Sequence, residues 1–265
     1  MTMKKYYIYI IGITAAMFTG CSEIDEADRL IDVEGVTAQR TVLLEDFTGQ
    51  MCSNCPNAHE IAATLHEEYG ENLVVVSIHA GGLGIPVVNN TPYEGLMQPI
   101  GDEYADKFGV DVYPSGLVNR KGGVVSETSW SGNVYDAISQ ESELELSVSA
   151  KVKDGKLDVK TDLLALNDVV GKLQLWVLED SIRTVQLLPT GGADLNYVHN
   201  HVLRGAVNGT WGEDISLALG EAKQLSNNAY VLDKSWKKEH LSVVAFVYNG
   251  NGVLQAAQTH VILKD

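Results

Sequence analysis

The sequence is poor in cysteine and in basic residues, and each shortage excludes a class of protein. Three cysteines in 265 residues are too few for a small domain held together by disulfides, and their odd number leaves one outside any intramolecular pair. Lysine and arginine number 19 against 35 acidic residues, and a net charge of -16 argues against nucleic acid as a partner. The remaining composition is typical of a folded protein, with 45% apolar and 20% charged residues. The length suffices for two domains, since domains usually run to about 100–150 residues.

The first twenty residues have the pattern of a secretory signal. Two lysines precede an uncharged run of 13 residues, Tyr6 to Phe18, which is shorter than the roughly 20 residues of a membrane-spanning helix. The sequence Phe-Thr-Gly-Cys at residues 18–21 resembles a bacterial lipobox, in which the cysteine becomes the lipidated first residue of the mature protein. The resemblance implies a signal peptide at residues 1–20 and a lipid anchor in the membrane at Cys21. An ordinary cleaved signal is the alternative.

An acidic segment follows the predicted anchor. Residues 21–38 are expected to form a solvated tether that lifts the folded part away from the membrane. Acidic residues directly after the lipidated cysteine also resemble the surface-export signal of some Gram-negative lipoproteins. We therefore expect a lipid-anchored protein of the outer membrane, on its periplasmic face or at the cell surface.

Between residues 39 and 141, apolar runs alternate with helical periodicity. Short, nearly continuous apolar runs predict buried strands at Val42 to Phe47 and at Leu73 to His79, and a third strand lies within Val110 to Asn119. Apolar residues at helical spacing predict a helix that ends at Gly70. Two further helices are predicted at Pro99 to Phe108 and Gly132 to Gln140.

Two cysteines lie where the first strand gives way to the first helix. The thiolate, not the thiol, attacks a disulfide, and the free N–H groups and dipole of a helix N-terminus favour the thiolate form of Cys52. Cys55 follows three residues later on the same helix face, where it can resolve a mixed disulfide.

Three separated motifs resemble the thioredoxin family. Asp46-Phe47 lies six and five positions before Cys52, as a buried Asp-Phe pair does in thioredoxins. The stretch Ala105 to Val110, followed by Tyr113-Pro114-Ser115 and by Lys121-Gly122, is similar to the thioredoxin segment that carries a cis-proline. The spacing and flanking residues also resemble the Omp28-related bacterial lipoproteins, a family that pairs this fold with a second domain.

These resemblances imply an α/β thioredoxin-like domain at residues 39–141. They imply that Asp46 is a buried carboxyl group beneath the cysteine pair, able to accept or return a proton. They also imply that Pro114 is cis and lies beside the sulfur atoms. The backbone of Val112 and Tyr113 would then contact an extended peptide.

Two classes of function follow. The first is a thiol–disulfide oxidoreductase acting on envelope proteins or peptides, in which Cys52 attacks and Cys55 resolves. The second is a non-catalytic receptor, adhesin or binding lipoprotein in which the pair is a structural disulfide. Met51, where thioredoxins have tryptophan, and an inserted loop at Gly81 to Gln98 favour the second class.

A metal site is a weaker alternative. Cys55, His59 and His79 offer ligands, but a tetrahedral site needs four that converge, and no second Cys-x-x-Cys is present. We therefore predict no metal and no cofactor. The oligomeric state is left open.

From residue 142 to residue 265 the period of the apolar pattern becomes two. Apolar and polar residues alternate from Leu144 to Val152, and an Asp-Gly turn leads into another alternating run. Consecutive strands without helical spacers predict an all-β antiparallel sandwich domain. His199 and His201, two apart, would share one face of a strand and line a sugar, peptide or metal site, or else be two half-buried histidines beside a loop.

Overall fold

A computed structural model of the chain describes residues 39–88 and 90–263. The signal peptide predicted at residues 1–20, the lipidation site at Cys21 and the tether at 21–38 lie outside the described residues and stay predictions. No helix in the described part of the chain is long and apolar enough to cross a membrane.

Strands and helices alternate from residue 42 to residue 138. The elements are β1 (Val42–Thr48), α1 (Cys55–Tyr69), β2 (Leu73–His79), α2 (Pro99–Phe108), β3 (Ser115–Val118) and α3 (Trp130–Ile138). Both β1 and β2 are buried along their whole length, which accounts for their nearly continuous apolar sequences. Gly109 ends α2 in the left-handed conformation at φ 68°, which glycine adopts without strain.

Two of these elements differ in extent from the predicted ones. The third strand is confined to Ser115–Val118, because Pro114 has no N–H to donate to a ladder. The last helix begins at Trp130, two residues before the predicted start, since the buried Trp130 and Val134 form one apolar face with helical spacing.

The rest of the described chain is β-structure, as the alternating pattern predicts. Its strands are β4 (Leu144–Lys153), β5 (Lys156–Ala165), β6 (Val169–Glu179), β7 (Ile182–Leu187), β8 (Ala193–His199), β9 (Val202–Ala206), β10 (Glu213–Leu217), β11 (Ala222–Val231), β12 (Leu241–Asn249), β13 (Gly252–His260) and β14 (Ile262–Leu263).

The strands form mixed and antiparallel sheets. An eight-stranded sheet has the order β13-β12-β6-β9-β2-β1-β3, with β10 paired to β6. A four-stranded sheet has the order β11-β5-β4-β14, and β7 and β8 form a separate hairpin. The expectation of purely antiparallel pairing after residue 142 is wrong at β14, which runs parallel to β4, and at β9, which pairs in parallel with β2 through Ser77 and Val202. Strand β9 can do this because it returns from the β7–β8 hairpin alongside β2.

Core side chains cross the boundary predicted at residues 141/142. Leu43 and Phe47 of β1 share one buried cluster with Trp176 of β6 and Phe246 of β12. A second cluster forms where the four-stranded sheet packs on β6, β12 and β13, with members that include Leu144, Leu157, Leu163, Leu173, Leu175, Leu241 and Leu254. All the described residues belong to one compact unit. The division into domains at 39–141 and 142–265 stays a prediction.

A buried ion pair lies inside the first of these clusters. Arg120 donates from Nε to Glu45 Oε2 at 2.9 Å and from a terminal nitrogen to Glu45 Oε1 at 2.8 Å. The two side chains are 4% and 0% exposed. The guanidinium carbon lies within 5.6 Å of five ring centroids, those of Tyr104, Phe108, Trp176, Phe246 and Tyr248. The aromatic faces and the carboxylate together replace the water that the cation has lost.

Candidate functional site

The two cysteines of the Cys-x-x-Cys motif form a disulfide at the start of α1. Cys55 is the first residue of the helix and Cys52 lies in the turn before it, with Cα atoms 5.4 Å apart. Cys52 is 4% exposed and Cys55 is 0% exposed, whereas the preceding Met51 is 42% exposed. The position is the one predicted from sequence, but Cys52 is more deeply covered than an attacking cysteine is expected to be.

Asp46 is a buried acid on the face of β1 that packs against α1. Val42 and Leu44, on the same face of the strand, belong to the cluster that includes residues of α1. Both carboxyl oxygens of Asp46 are buried without a hydrogen-bond partner among the described residues. Burial, assisted by the negative charge of Glu127, raises the pKa of Asp46 to about 8. The group is therefore a neutral acid at pH 7 that holds a proton beside α1, with Oδ2 3.7 Å from His59 Nε2.

His59 connects this acid to the second half of the chain. It lies four residues after Cys55, on the same face of α1. Its Nε2 atom is 3.7 Å from Asp46 Oδ2 and 2.9 Å from Thr48 Oγ1, and its Nδ1 atom is 2.9 Å from the hydroxyl of Tyr197 on β8. Burial lowers the pKa of His59 to about 4, so the ring is neutral at pH 7.

Two further histidines face the same space. The ring of His199 on β8 is 5.3 Å from the ring of His79 on β2 and 6.4 Å from that of His59. The ring nitrogens of His79 and His199 are buried without hydrogen-bond partners among the described residues. Burial, followed by the neighbouring histidines, lowers the pKa of His199 to about 3 and that of His79 well below its usual range.

These side chains line a cavity of about 220 Å³ between α1, β2 and β8. Its polar lining includes Asp46, His59, Ser77, His79, Tyr197, His199 and His201. His199 therefore faces a cavity together with residues from the first half of the chain, which the sequence did not reveal. His201 lies after the end of β8, so the predicted alternation of strand faces does not apply to it, and its ring is 5.6 Å from that of His66. Among the described residues, no group of three or more His, Cys, Asp or Glu side chains is arranged to hold a metal ion.

Pro114 lies at the sheet end where the cysteine loop begins. The Tyr113–Pro114 peptide bond is cis, and β3 starts at the next residue. Ser115 pairs with Phe47 near the carboxyl end of β1, so Pro114 comes next to the loop that leads to Cys52. Pro114 is buried, Tyr113 is half-buried and Val112 is 69% exposed.

The inserted loop at residues 81–98 lies against the cysteine loop. Met51 donates its backbone N–H to the carbonyl of Leu83 at 2.8 Å. The side chain of Gln50 accepts from Leu96 N at 3.0 Å and donates to the Glu94 carbonyl at 2.9 Å. The loop is therefore a wall beside the site, held by a buried glutamine.

A cover over the cysteine loop comes from the β7–β8 hairpin. The buried Gln186 on β7 donates to the Cys52 carbonyl at 2.8 Å and to the Gly49 carbonyl at 3.3 Å. The backbone N–H of Leu187 bonds the Gln50 carbonyl at 2.9 Å. Gln186 was not predicted from the sequence. Tyr197 was expected beside His199 and His201, but not in contact with His59, which lies 138 positions earlier.

The sequence of residues 101–264 matches the family model described as Outer membrane protein Omp28. This range covers more than half of the 265 residues and includes Pro114, but neither Cys52 nor Cys55. No curated protein matches the sequence.

Among solved structures, HBP35 of Porphyromonas gingivalis is similar in fold. It is 16% identical, covers 84% of this chain and 76% of its own, and has a TM-score of 0.63. A protein from Agrobacterium tumefaciens is 17% identical over 83% of this chain and 95% of its own, with a TM-score of 0.49. At these identities the likeness to HBP35 shows the fold alone, and the second likeness is too low to support an argument.

Proposed function

The chain belongs to the Omp28 family of outer membrane proteins, and from this premise we propose that it is an envelope lipoprotein with a thiol–disulfide exchange site. In this proposal Cys21 carries the lipid that anchors the protein to the outer membrane. Cys52 and Cys55 exchange disulfides with other envelope proteins or peptides.

The arrangement of residues 39–141 supports a thioredoxin-like fold for this part of the chain. Strand β1 runs parallel to β2 and antiparallel to β3, and α1 follows β1 directly with Cys55 as its first residue. A cis-proline stands before β3. The β-strands after residue 142, which pack as two sheets around one core, support the accompanying sandwich.

The observation that carries the proposal is the buried carboxyl group of Asp46, which lies on the face of β1 that packs against α1 and holds a proton at pH 7. An incoming substrate thiolate attacks Cys52 Sγ, the Cys52–Cys55 bond breaks, and Cys55 leaves with the electron pair. Asp46, neutral at pH 7, supplies the proton that converts this leaving group to a thiol. A second substrate thiolate then attacks the mixed disulfide and releases Cys52, so that the substrate dithiol is oxidised and the pair is reduced. The free N–H groups at the start of α1 stabilise the Cys52 thiolate.

Exposed apolar side chains beside the site suit an extended peptide substrate. Met51 precedes the attacking cysteine and Val112 precedes the cis-proline segment, and both are exposed. The Val112 carbonyl already accepts a hydrogen bond from Ser115 Oγ at 2.7 Å, which holds the loop in place. We assign peptide contact to the backbone of Val112 and Tyr113.

Reduction of insulin by dithiothreitol, catalysed by the purified protein, tests the exchange activity in the reverse direction. Dithiothreitol reduces the pair, and the Cys52 thiolate then attacks an insulin disulfide. Cys52→Ser removes the attacking sulfur and should abolish turnover, whereas Cys21→Ser, a matched substitution outside the pair, should turn over at the wild-type rate. Equal rates for wild type and Cys52→Ser would exclude the proposed activity.

One observation favours a second function, a non-catalytic binding lipoprotein with a structural disulfide. Cys52 is buried, and Gln186 holds the carbonyl group of Cys52 from above. The midpoint potential of the pair separates the two functions. A value below about -300 mV is typical of structural disulfides, and one between roughly -270 and -120 mV is typical of exchange catalysts. If the protein is a receptor or adhesin at the cell surface, protease added to whole cells should cleave it. Full protection from the protease would exclude a role at the cell surface.

A further inference from the structure

His59 lies between a buried acid and a histidine-lined cavity, in a position that the exchange reaction described above does not use. Its two ring nitrogens have different neighbours: Nε2 faces Asp46 and Thr48, and Nδ1 faces the Tyr197 hydroxyl. If Nε2 carries the hydrogen and donates it to Thr48, then Nδ1 accepts from Tyr197, and both hydrogen bonds of the neutral ring are made.

The titratable groups that line the cavity with His59 are Asp46 from β1, His79 from β2, Tyr197 and His199 from β8, His201 after β8, and Glu60 from α1. Burial shifts the pKa of each of these except Glu60 toward the neutral form. A neutral imidazole in such surroundings can take a proton at one nitrogen and release one from the other without a lasting charge.

The cavity gives this histidine a route to solvent. A volume of about 220 Å³ corresponds to several water molecules at roughly 30 Å³ each. The nitrogens of His79 and His199, which have no partner among the described residues, are groups that water in such a cavity would satisfy. Asp46 also lies in the cavity lining, but both of its carboxyl oxygens are buried. The side chain of His59, at 17% exposed, is more accessible than that of Asp46, at 1%.

We propose that His59 relays protons between Asp46 and the cavity during disulfide exchange at Cys52 and Cys55. The relay rests on the proposed redox function and adds a residue to it. Because His59 acts through Asp46 and does not touch the sulfur atoms, it is a positioning residue for the proton rather than a catalytic residue.

Reduction of the cysteine pair leaves Asp46 as a carboxylate, because its proton has gone to Cys55 Sγ. The new negative charge attracts the Nε2 hydrogen of His59, which closes the 3.7 Å separation and transfers that proton to Asp46. Tyr197 passes its hydroxyl proton to Nδ1 and regains one from solvent in the cavity. Oxidation of the pair sends one proton along the same path in the opposite direction.

The test is the rate at which dithiothreitol reduces the disulfide of the full chain, followed by trapping free thiols. His59→Ala should react about tenfold more slowly than wild type, which is less than the roughly hundredfold effect of losing a direct proton donor, because Asp46 is still present. Added imidazole should restore the rate, because the emptied site adjoins the cavity and can admit it. His59→Gln retains polar contacts but carries no proton between nitrogens, so it should also be slow while unfolding at the wild-type denaturant concentration.

His66→Ala is the matched control on the same helix. His66 bonds the Leu73 carbonyl at 2.9 Å and lies outside the proposed route, so this variant should react at the wild-type rate and not respond to imidazole. A His59→Ala protein as fast as wild type would overturn the relay. So would a slow His59→Ala protein that imidazole does not rescue, or a His59→Gln protein at the wild-type rate.

This assay separates the relay from the proposed function, since it scores the cysteine pair itself and needs no protein substrate. If insulin turnover depends on Cys52 but His59→Ala reduces normally, the relay alone is wrong. If insulin is not turned over but imidazole rescues His59→Ala, the relay stands and the assigned function is wrong. A wild-type pair that dithiothreitol cannot reduce overturns both.

Discussion

Replacing Asp46 by asparagine should stabilise the protein, by an amount that grows with pH. The carboxyl group has no hydrogen-bond partner among the described residues and is fully buried, so its ionised form is poorly tolerated in the folded state. Asparagine has nearly the shape of the protonated acid and never ionises. The substitution therefore removes the cost of keeping a proton on the group while leaving the packing between β1 and α1 in place.

The magnitude follows from the difference in pKa between the two states. In the unfolded chain the pKa of Asp46 is near 3.8, and in the folded protein burial raises it to about 8. Between these values the folded state holds a proton that the unfolded state has lost, so raising the pH favours unfolding by about 1.4 kcal/mol per pH unit. The penalty is absent below about pH 4 and constant above about pH 8, where it totals on the order of 5 kcal/mol. This is an upper bound, because a buried carboxylate draws in water and relaxes its surroundings.

Urea unfolding of wild type and Asp46→Asn across this pH range measures the effect. The free energies of unfolding should agree near the acid end, and the variant should be the more stable by a growing margin up to about pH 8. Histidines such as His59 titrate in the same range, but they occur in both proteins and largely cancel in the difference. Asp136→Asn, at an exposed position on α3, is the control for the substitution itself. A constant difference for Asp46→Asn would refute the argument.

Three other outcomes are expected. Glu45→Gln should lower the free energy of unfolding by about 3 kcal/mol, because it leaves Arg120 buried without a counter-charge. The double variant with Arg120→Met should recover most of the loss. Urea unfolding measures both, and a double variant as unstable as Glu45→Gln would contradict this explanation. Gln186→Ala should speed dithiothreitol reduction of the pair about fivefold, since a hydrogen bond worth about 1 kcal/mol to Cys52 is lost from the covered state; an unchanged rate would mean that the hairpin does not limit access. As the pH falls from about 7 to about 4, His199→Asn should lose less stability than wild type. The pKa of His199 is 6.5 in the unfolded chain and about 3 in the folded protein, so the unfolded chain takes up the proton first. Equal loss of stability in urea unfolding would show that His199 does not cause the acid sensitivity.

Local sequence patterns predicted the elements because each is determined by a short stretch of chain. The apolar run of β2 needs only seven residues, and α2 is bounded by Pro99 at its start and Gly109 at its end. Turn residues and alternation likewise located β4, β5, β6, β12 and β13, whereas β7 to β11 were not predicted. Their pairing was less predictable, because β9 and β14 join neighbours in parallel through contacts that no local pattern contains.

The same distinction applies to the candidate site. The cysteine pair, Asp46 and Pro114 were found because their relative spacing forms a motif. His59 was noticed as a possible ligand, but its partner Tyr197 could not be inferred, since the two residues are 138 positions apart. A polar residue in a strand, such as Gln186, reads as solvent-facing unless the three-dimensional structure reveals what covers it.

The β7–β8 hairpin both covers Cys52 and contacts His59, and this limits which substrates the proposed exchange reaction can use. Gln186 on β7 covers Cys52, and Tyr197 on β8 contacts His59. Because β7 and β8 are paired through Thr184 and Tyr197, a movement that uncovers the attacking sulfur also draws Tyr197 away from the imidazole. Access for a large substrate and proton supply to Asp46 therefore oppose each other. An exchange reaction that proceeds with the hairpin in place favours a small or extended substrate that enters from the side of Met51 and Val112, where apolar side chains are exposed.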